Sequence, residues 1–216
     1  MTTKTKAAKK RTPAQTAPTV PPREAAPASL AVGGRVVVKV LKGNQSWNSG
    51  SFSWDLPTQN PDGTWTPGAW TPKVALDYCR RGYHGTNGAP RWWGEGVTAW
   101  WMEYHPDAKV IAPEDGLHGS DGNKFCGEQC RLLRPLARDE LEAQGVYLTG
   151  SHKELGEAGK FYALGGDVEV ENLSGGTVTD MSGGTVTYLR GGTVTYLRGG
   201  TVTDMSGGTV TYLRGG

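Results

Sequence analysis

Four side chains in this chain have the chemistry to hold one metal ion: Cys79, His84, Cys126 and Cys130. Thiolate and imidazole are the ligands zinc takes in closed four-coordinate sites. Cys126 and Cys130 are four residues apart, wider than the usual paired spacing, and on a strand that separation merely puts both thiols on one buried face. The expectation is therefore no metal and no cofactor. A second chemistry resides in eight tryptophans, all between Trp47 and Trp101. Flat aromatic faces in polar loops stack on sugars or bases at low side-chain entropy cost. Trp65 and Trp70 are the candidates for such a ligand-binding platform, while Trp100 or Trp101 is expected to fill the core. The acidic turns Pro113-Glu114-Asp115-Gly116 and Asp121-Gly122-Asn123 lack the ligand order of a calcium loop and read as solvated.

The elements that must position these groups follow from periodicity. Residues 35–41, Arg-Val-Val-Val-Lys-Val-Leu, are rich in β-branched side chains. Val36, Val38 and Val40 lie on one face and Val37 and Leu41 on the other, so a central strand covered on both sides is expected. Residues 97–104 alternate as a second strand, with Val97, Ala99, Trp101 and Glu103 opposed to Thr98, Trp100, Met102 and Tyr104. Between them, 42–72 is a long stretch of Asn-Pro, Asp-Gly and Pro-Gly turns, and loops of that length tend to cover something or to act. A helical turn is expected over 89–95, one strand over 124–133 and a short helix over 136–144, and 108–112 is another short apolar stretch. Ser151 with Glu154 three residues on has the form of a capping box, so a short connecting helix is expected within 148–165.

Two resemblances bear on residues 36–136. Trp54, Pro57, Pro67-Gly68, Trp70, Cys79, Gly82-Tyr83-His84 and Arg131-Leu132-Leu133-Arg134 resemble an uncharacterised domain of actinobacteriophage and prophage proteins with a Gly-Tyr-His motif, which implies a phage origin and brings no activity with it. Gly82-Tyr83-His84-Gly85-Thr86 is also similar to the His-Gly-Thr element of ADP-ribosyltransferases. That likeness implies a catalytic set in which His84 and Thr86 hold NAD, Tyr83 or Tyr104 stacks, and Glu103 or Glu128 is the acid. The residues alone suggest instead that His84 is a turn residue whose neighbouring glycines serve backbone geometry.

The most regular stretch starts at Ser174: SGGTVTDM, SGGTVTYL, RGGTVTYL, RGGTVTDM, SGGTVTYL. Self-similarity at a fixed period marks a stacked repeat. Thr-Val-Thr is strand-forming with Val inward, Gly-Gly makes a corner, and the Met or Leu three residues after Val turns inward once the chain bends. Each octapeptide is thus one side and one corner of a β-solenoid, and Asp167–Leu173 reads as a degenerate first repeat in which Val170 and Leu173 stand for Val178 and Met181. Identical side chains recur 24 residues apart, as in Asp180 and Asp204 or Tyr188 and Tyr212, so a three-sided coil is expected. A two-sided coil of 16 residues would instead set Asp180 under Tyr196. GGTV-type octapeptides resemble short β-helical stretches of phage and actinobacterial proteins.

The expected architecture is α+β: a basic Pro/Ala/Lys tail (1–34) expected to be disordered, a small mixed-sheet domain with short helices (35–147), a connecting helix and linker (148–165) and a short solenoid (166–216). The net charge of +2 conceals a tail holding six cations against one anion, so the body is slightly acidic and no nucleic-acid surface by bulk charge. The tail itself is given a weak contact with nucleic acid or an acidic partner. Three cysteines argue against a disulfide scaffold. No apolar run approaches the roughly 20 residues of a membrane span, and no signal peptide is visible, which points to the host cytoplasm or a virion. Function is expected in interaction and assembly rather than catalysis. Val178, Val186, Val194, Val202, Val210, Met181, Leu189, Leu197, Met205 and Leu213 form the stacking core, and a homo-oligomer, virion or host partner meets the solenoid's C-terminal end.

Overall fold

The computed structural model describes residues 35–47, 51–77, 81–112 and 123–214. The 1–34 tail, Cys79 and the acidic 113–122 segment lie outside the described residues. The fold is mostly sheet. Among the described residues the helix is limited to a 3-10 turn at Ala89–Trp92 and one α-helix, α1 (Arg138–Ala143), so an α+β description with short helices overstates the helix content.

The first sheet comprises β1 (Val36–Lys42), β2 (Gln45–Ser46), β5 (Tyr83–Thr86), β6 (Val97–Tyr104), β7 (Val110–Ile111), β8 (Lys124–Gly127) and β9 (Cys130–Pro135); β3 (Thr58–Gln59) and β4 (Trp65–Thr66) form a separate small hairpin. The strand order is β7-β8-β5-β1-β6-β9, with β2 paired to β1. The single strand expected over 124–133 is divided into β8 and β9 at Glu128 and Gln129. In a flat sheet these two would stand about 19 Å apart, four inter-strand steps, whereas the link between them spans at most about 11 Å. The sheet therefore curls around a core of Val37, Leu41, Met102, Tyr104, Phe125 and Leu132, closed by Trp54. The long loop does cover something: the backbone N–H groups of Gly68, Thr71 and Val74 donate to Leu132, Cys130 and Glu128 carbonyls, sealing the outer edge of β9.

The other face of β1 carries Val38 and Val40, as the alternation requires, and packs with Ala89, Trp93, Ala99, Leu136, Val146 and Ala163. Val146 and Ala163 belong to the solenoid. It begins at β10 (Val146–Leu155) and continues through β11 (Phe161–Leu173), β12 (Thr177–Met181), β13 (Thr185–Leu189), β14 (Thr193–Leu197), β15 (Thr201–Met205) and β16 (Thr209–Leu213). Residues 151–155, expected as helix, are strand: β10 pairs in parallel with β11, His152 beside Val170 and Leu155 beside Leu173. A capping pattern without an apolar stripe of helical period does not outweigh a ready-made parallel neighbour. The barrel-like sheet and the first coil share one core rather than meeting at a hinge.

Pairing sets the coil at 16 residues, two octapeptides and two sides, in place of three sides. Val178 lies beside Val194 and Val194 beside Val210 on one side; Val170, Val186 and Val202 align on the other. Val170 and Leu173 occupy the octapeptide Val and Leu places, as expected. The 24-residue ladders do not form: Asp180 neighbours Tyr196, Tyr188 neighbours Asp204, and Tyr196 neighbours Tyr212. About four coils are stacked.

Candidate assembly surface

The inside of each coil is built from two residues per octapeptide. On one side the ladders run His152-Val170-Val186-Val202 and Leu155-Leu173-Leu189-Met205; on the other, Tyr162-Val178-Val194-Val210 and Leu164-Met181-Leu197-Leu213. The third and fourth strand residues both face outward, so the chain bends between them and lets the fifth turn in. Corners are Gly-Gly. Gly192 has φ +72°, and a Cβ there would stand 2.7 Å from the carbonyl oxygens of Gly175 and Gly176 in the coil beneath, so this corner excludes a side chain by both conformation and stacking.

The two ends of the stack differ. At the first coil, the inward Val place is taken by His152, its ring edge-on to Tyr147 at 4.7 Å, and the open edge of β10 carries Ser151, Lys153 and Glu154, all exposed. That is a polar, charged end. At the last coil, β15 and β16 have no neighbour on their outer edges among the described residues. The inner side chains that are fully covered in earlier coils come to the surface there: Leu189 is buried, but Met205 is 52% and Leu213 68% exposed, with Tyr212 at 50%. Val202 and Val210 are half-buried. Of the ten stacking residues expected from sequence, Val178, Val186, Val194, Met181, Leu189 and Leu197 are buried as a core, and the other four make the apolar end.

Outside the coil, unlike stacking is accommodated by charge. Asp180, almost wholly buried, pairs through Oδ2 with Arg198 Nε at 3.2 Å. Burial raises its pKa above the usual carboxylate range, opposed by Arg198. Arg198 also covers the Tyr196 ring at 4.7 Å, and Tyr196 stacks on Tyr212 with centroids 5.0 Å apart. Thr179 Oγ1 donates to the Pro90 carbonyl, pinning β12 to the 3-10 turn.

The other candidate residues are not gathered into one site. Thr86 Oγ1 accepts the Gly88 N–H at 2.9 Å, and the Glu103 carboxylate is committed to Arg131 at 2.5 Å. Thr86 and Glu103 stand on opposite sides of β1, beside Val38 and Val36. Glu128 pairs with Lys73 at 3.2 Å and accepts the Lys109 N–H, which holds its carboxyl below the usual range. The glycines of the Gly-Tyr-His-Gly motif serve packing: a Cβ on Gly85 would stand 2.3 Å from Val37 Cγ2, and one on Gly82 2.4 Å from Cys126 Sγ. Tyr83 is buried in the core and donates to the Pro72 carbonyl at 2.9 Å; Tyr104 is buried and donates to the Tyr83 carbonyl at 2.9 Å.

Cys126 is the cross-strand neighbour of His84. Cys130 lies in the core beside Thr71 Oγ1 at 3.9 Å, its thiol pushed up to about 12 by burial. No three His, Cys, Asp or Glu side chains come together as a metal set among the described residues. Trp65 is half-buried on β4; Trp70 has one face on the Arg131 guanidinium at 4.3 Å and its edge toward His105. Trp54, Trp93 and Trp100 are core residues.

One group escaped the sequence reading. Lys39, the charge in the middle of β1, is buried on the core face, donating to the His84 carbonyl at 3.1 Å with its ammonium 4.9 Å from the Trp54 ring centroid. Desolvation lowers its pKa to about 8. Its place between Val38 and Val40 was the available signal.

No described helix is long and apolar enough to cross a membrane. No family model, curated protein or solved structure matches the chain.

Proposed function

We propose that the protein is a non-enzymatic phage-type accessory or virion-associated protein whose solenoid attaches or assembles through its last coil. The observation that carries this reading is the contrast between Leu189 and Leu197, covered by the next coil, and Met205 and Leu213, half and two-thirds exposed in the same octapeptide place. Covering those two side chains is worth about 2 kcal/mol, and the strand edges beside them offer rows of backbone donors and acceptors to an added strand. The transferase and glycan-binding alternatives have no comparable support: Glu103 and Thr86 are spent on Arg131 and Gly88, and one face of Trp70 is occupied by Arg131. Sedimentation or light scattering of the 216-residue protein over a concentration series tests the proposal. Association that is abolished in Leu213→Glu supports it, and a wild-type monomer at every concentration refutes it.

A further inference from the structure

We infer that the partner of the last coil is a second copy of this chain, joined end to end about a two-fold axis so that β15 of one copy pairs antiparallel with β16 of the other; this rests on the assembly reading above. Continuity with the internal stacking argues for an octapeptide coil as the occupant. Every inner rung from Val170 to Leu197 is covered by another coil of the same composition, with Val on Val and Leu or Met on Leu. The two ends of the solenoid are not equivalent candidates. The first coil has His152 in the Val place, and its Val146 and Ala163 are packed against Val38, Ala89 and Leu136 of the first sheet, so stacking a last coil onto a first coil would set an imidazole against Val202 on one side and meet that sheet on the other. The surface that matches a last coil is another last coil, which gives a closed pair rather than a filament.

A two-fold mate presents its strands in the reverse direction, and the octapeptide tolerates reversal. Its inward residues are Val and the Leu or Met three places later, so turning the strand round exchanges one for the other. In the register that sets Val202 opposite Leu213 and Met205 opposite Val210, Thr203 falls opposite Tyr212, and the bend between the third and fourth residues of one strand meets the bend of the other. All four exposed or half-buried inner side chains of each copy are then covered. Pairing β15 with β15 of the mate would also align the inner residues, with Asp204 opposite Thr203, but would place the two Asp204 carboxylates on the diagonal across the pair, a like-charge proximity that β15-on-β16 pairing avoids. With only one coil face per copy, the contact falls in the small, concentration-dependent class.

The test uses the full chain in a Cys79→Ser background, in which Cys126 and Cys130 remain buried. Thr203→Cys and Tyr212→Cys are prepared separately and oxidised mildly, each alone and as a mixture, with sedimentation of the unmodified chain in parallel. The expected result is a covalent pair from the mixture, little from either variant alone, a dimer as the largest sedimenting species, and a dissociation constant at least about tenfold higher for Leu213→Glu. Cross-linking of Thr203→Cys with itself, growth beyond the dimer, or association without a mixed cross-link overturns the two-fold β15-on-β16 pair while leaving assembly standing. A monomer at all concentrations overturns both.

Discussion

Lys39 offers the sharpest quantitative test of the barrel-like core. In the unfolded chain its ammonium titrates near 10.5; buried under β1 it titrates near 8. A difference of about 2.5 pH units corresponds to roughly 3 kcal/mol against the fold at neutral pH. Between pH 8 and 10.5 the unfolded chain binds the extra proton, so wild-type stability rises with pH across that window. Cys130 acts oppositely: its thiol goes from about 9 to about 12 on folding, so its contribution is complete below pH 9 and is lost as pH climbs toward 12. Lys39 therefore acts without this opposition between pH 8 and 9. Lys39→Met removes the buried charge at the cost of one hydrogen bond to the His84 carbonyl, about 1 kcal/mol. The variant is expected to be about 2 kcal/mol more stable than wild type at pH 7, with the gap narrowing by pH 9. Urea unfolding followed by tryptophan fluorescence reads this directly, since all eight tryptophans lie between residues 47 and 101. Equal pH slopes for the two proteins between 8 and 9, or a variant destabilised by 2 kcal/mol or so at pH 7, would refute the assignment of Lys39 as a buried, desolvated ammonium.

Three further outcomes are expected. Arg198→Ala should cost about 1–2 kcal/mol by leaving the Asp180 carboxylate uncompensated, and much less in an Asp180→Asn background; a double-mutant cycle by chemical denaturation measures the coupling. Gly192→Ala combines positive φ with a 2.7 Å approach to two carbonyl oxygens and should cost more than 2 kcal/mol, whereas Gly159→Ala, with open space around it, should cost about 1 kcal/mol; paired melting curves separate the two. Glu140→Ala removes a bidentate contact with Arg134 and the carboxylate that accepts the Ala137 N–H at the start of α1, for a loss of about 2 kcal/mol in the same assay.

What was legible in the sequence was what inward-facing residues determine. The faces of β1 and β6, the inward Val and Leu of each octapeptide and the equivalence of Val170 with Val178 all follow from alternation and burial. Coil length does not. Every octapeptide carries the same inward pair, so coils of 16 and 24 residues bury the same core, and the 24-residue recurrence of Asp and Tyr lies on the outside. There, setting Asp180 under Tyr196 is tolerated because Arg198 reaches both. The division of 124–133 at Glu128 and Gln129 was hidden because the curl of the sheet, not local propensity, demands it. Ser151 and Glu154 imitate a helix start, but their neighbours have a partner in β11 that no local pattern reveals. The Gly-Tyr-His-Gly motif resembled a nucleotide element because close packing of β5 on Val37 and Met102 needs glycine as much as a phosphate does.

The core shared by β1, the 3-10 turn, Val146 and Ala163 has a consequence for how the solenoid comes into being. Parallel coils with non-local pairing have no inexpensive nucleus of their own, and here the sheet of residues 36–135 supplies one as a fixed template at one end. Coils should therefore form as a wave from β11 toward β16. Native-state hydrogen exchange would record that directionality as amide protection declining rung by rung along Val170, Val186 and Val202, with opening of the distal coils independent of the template and opening of the template releasing them all.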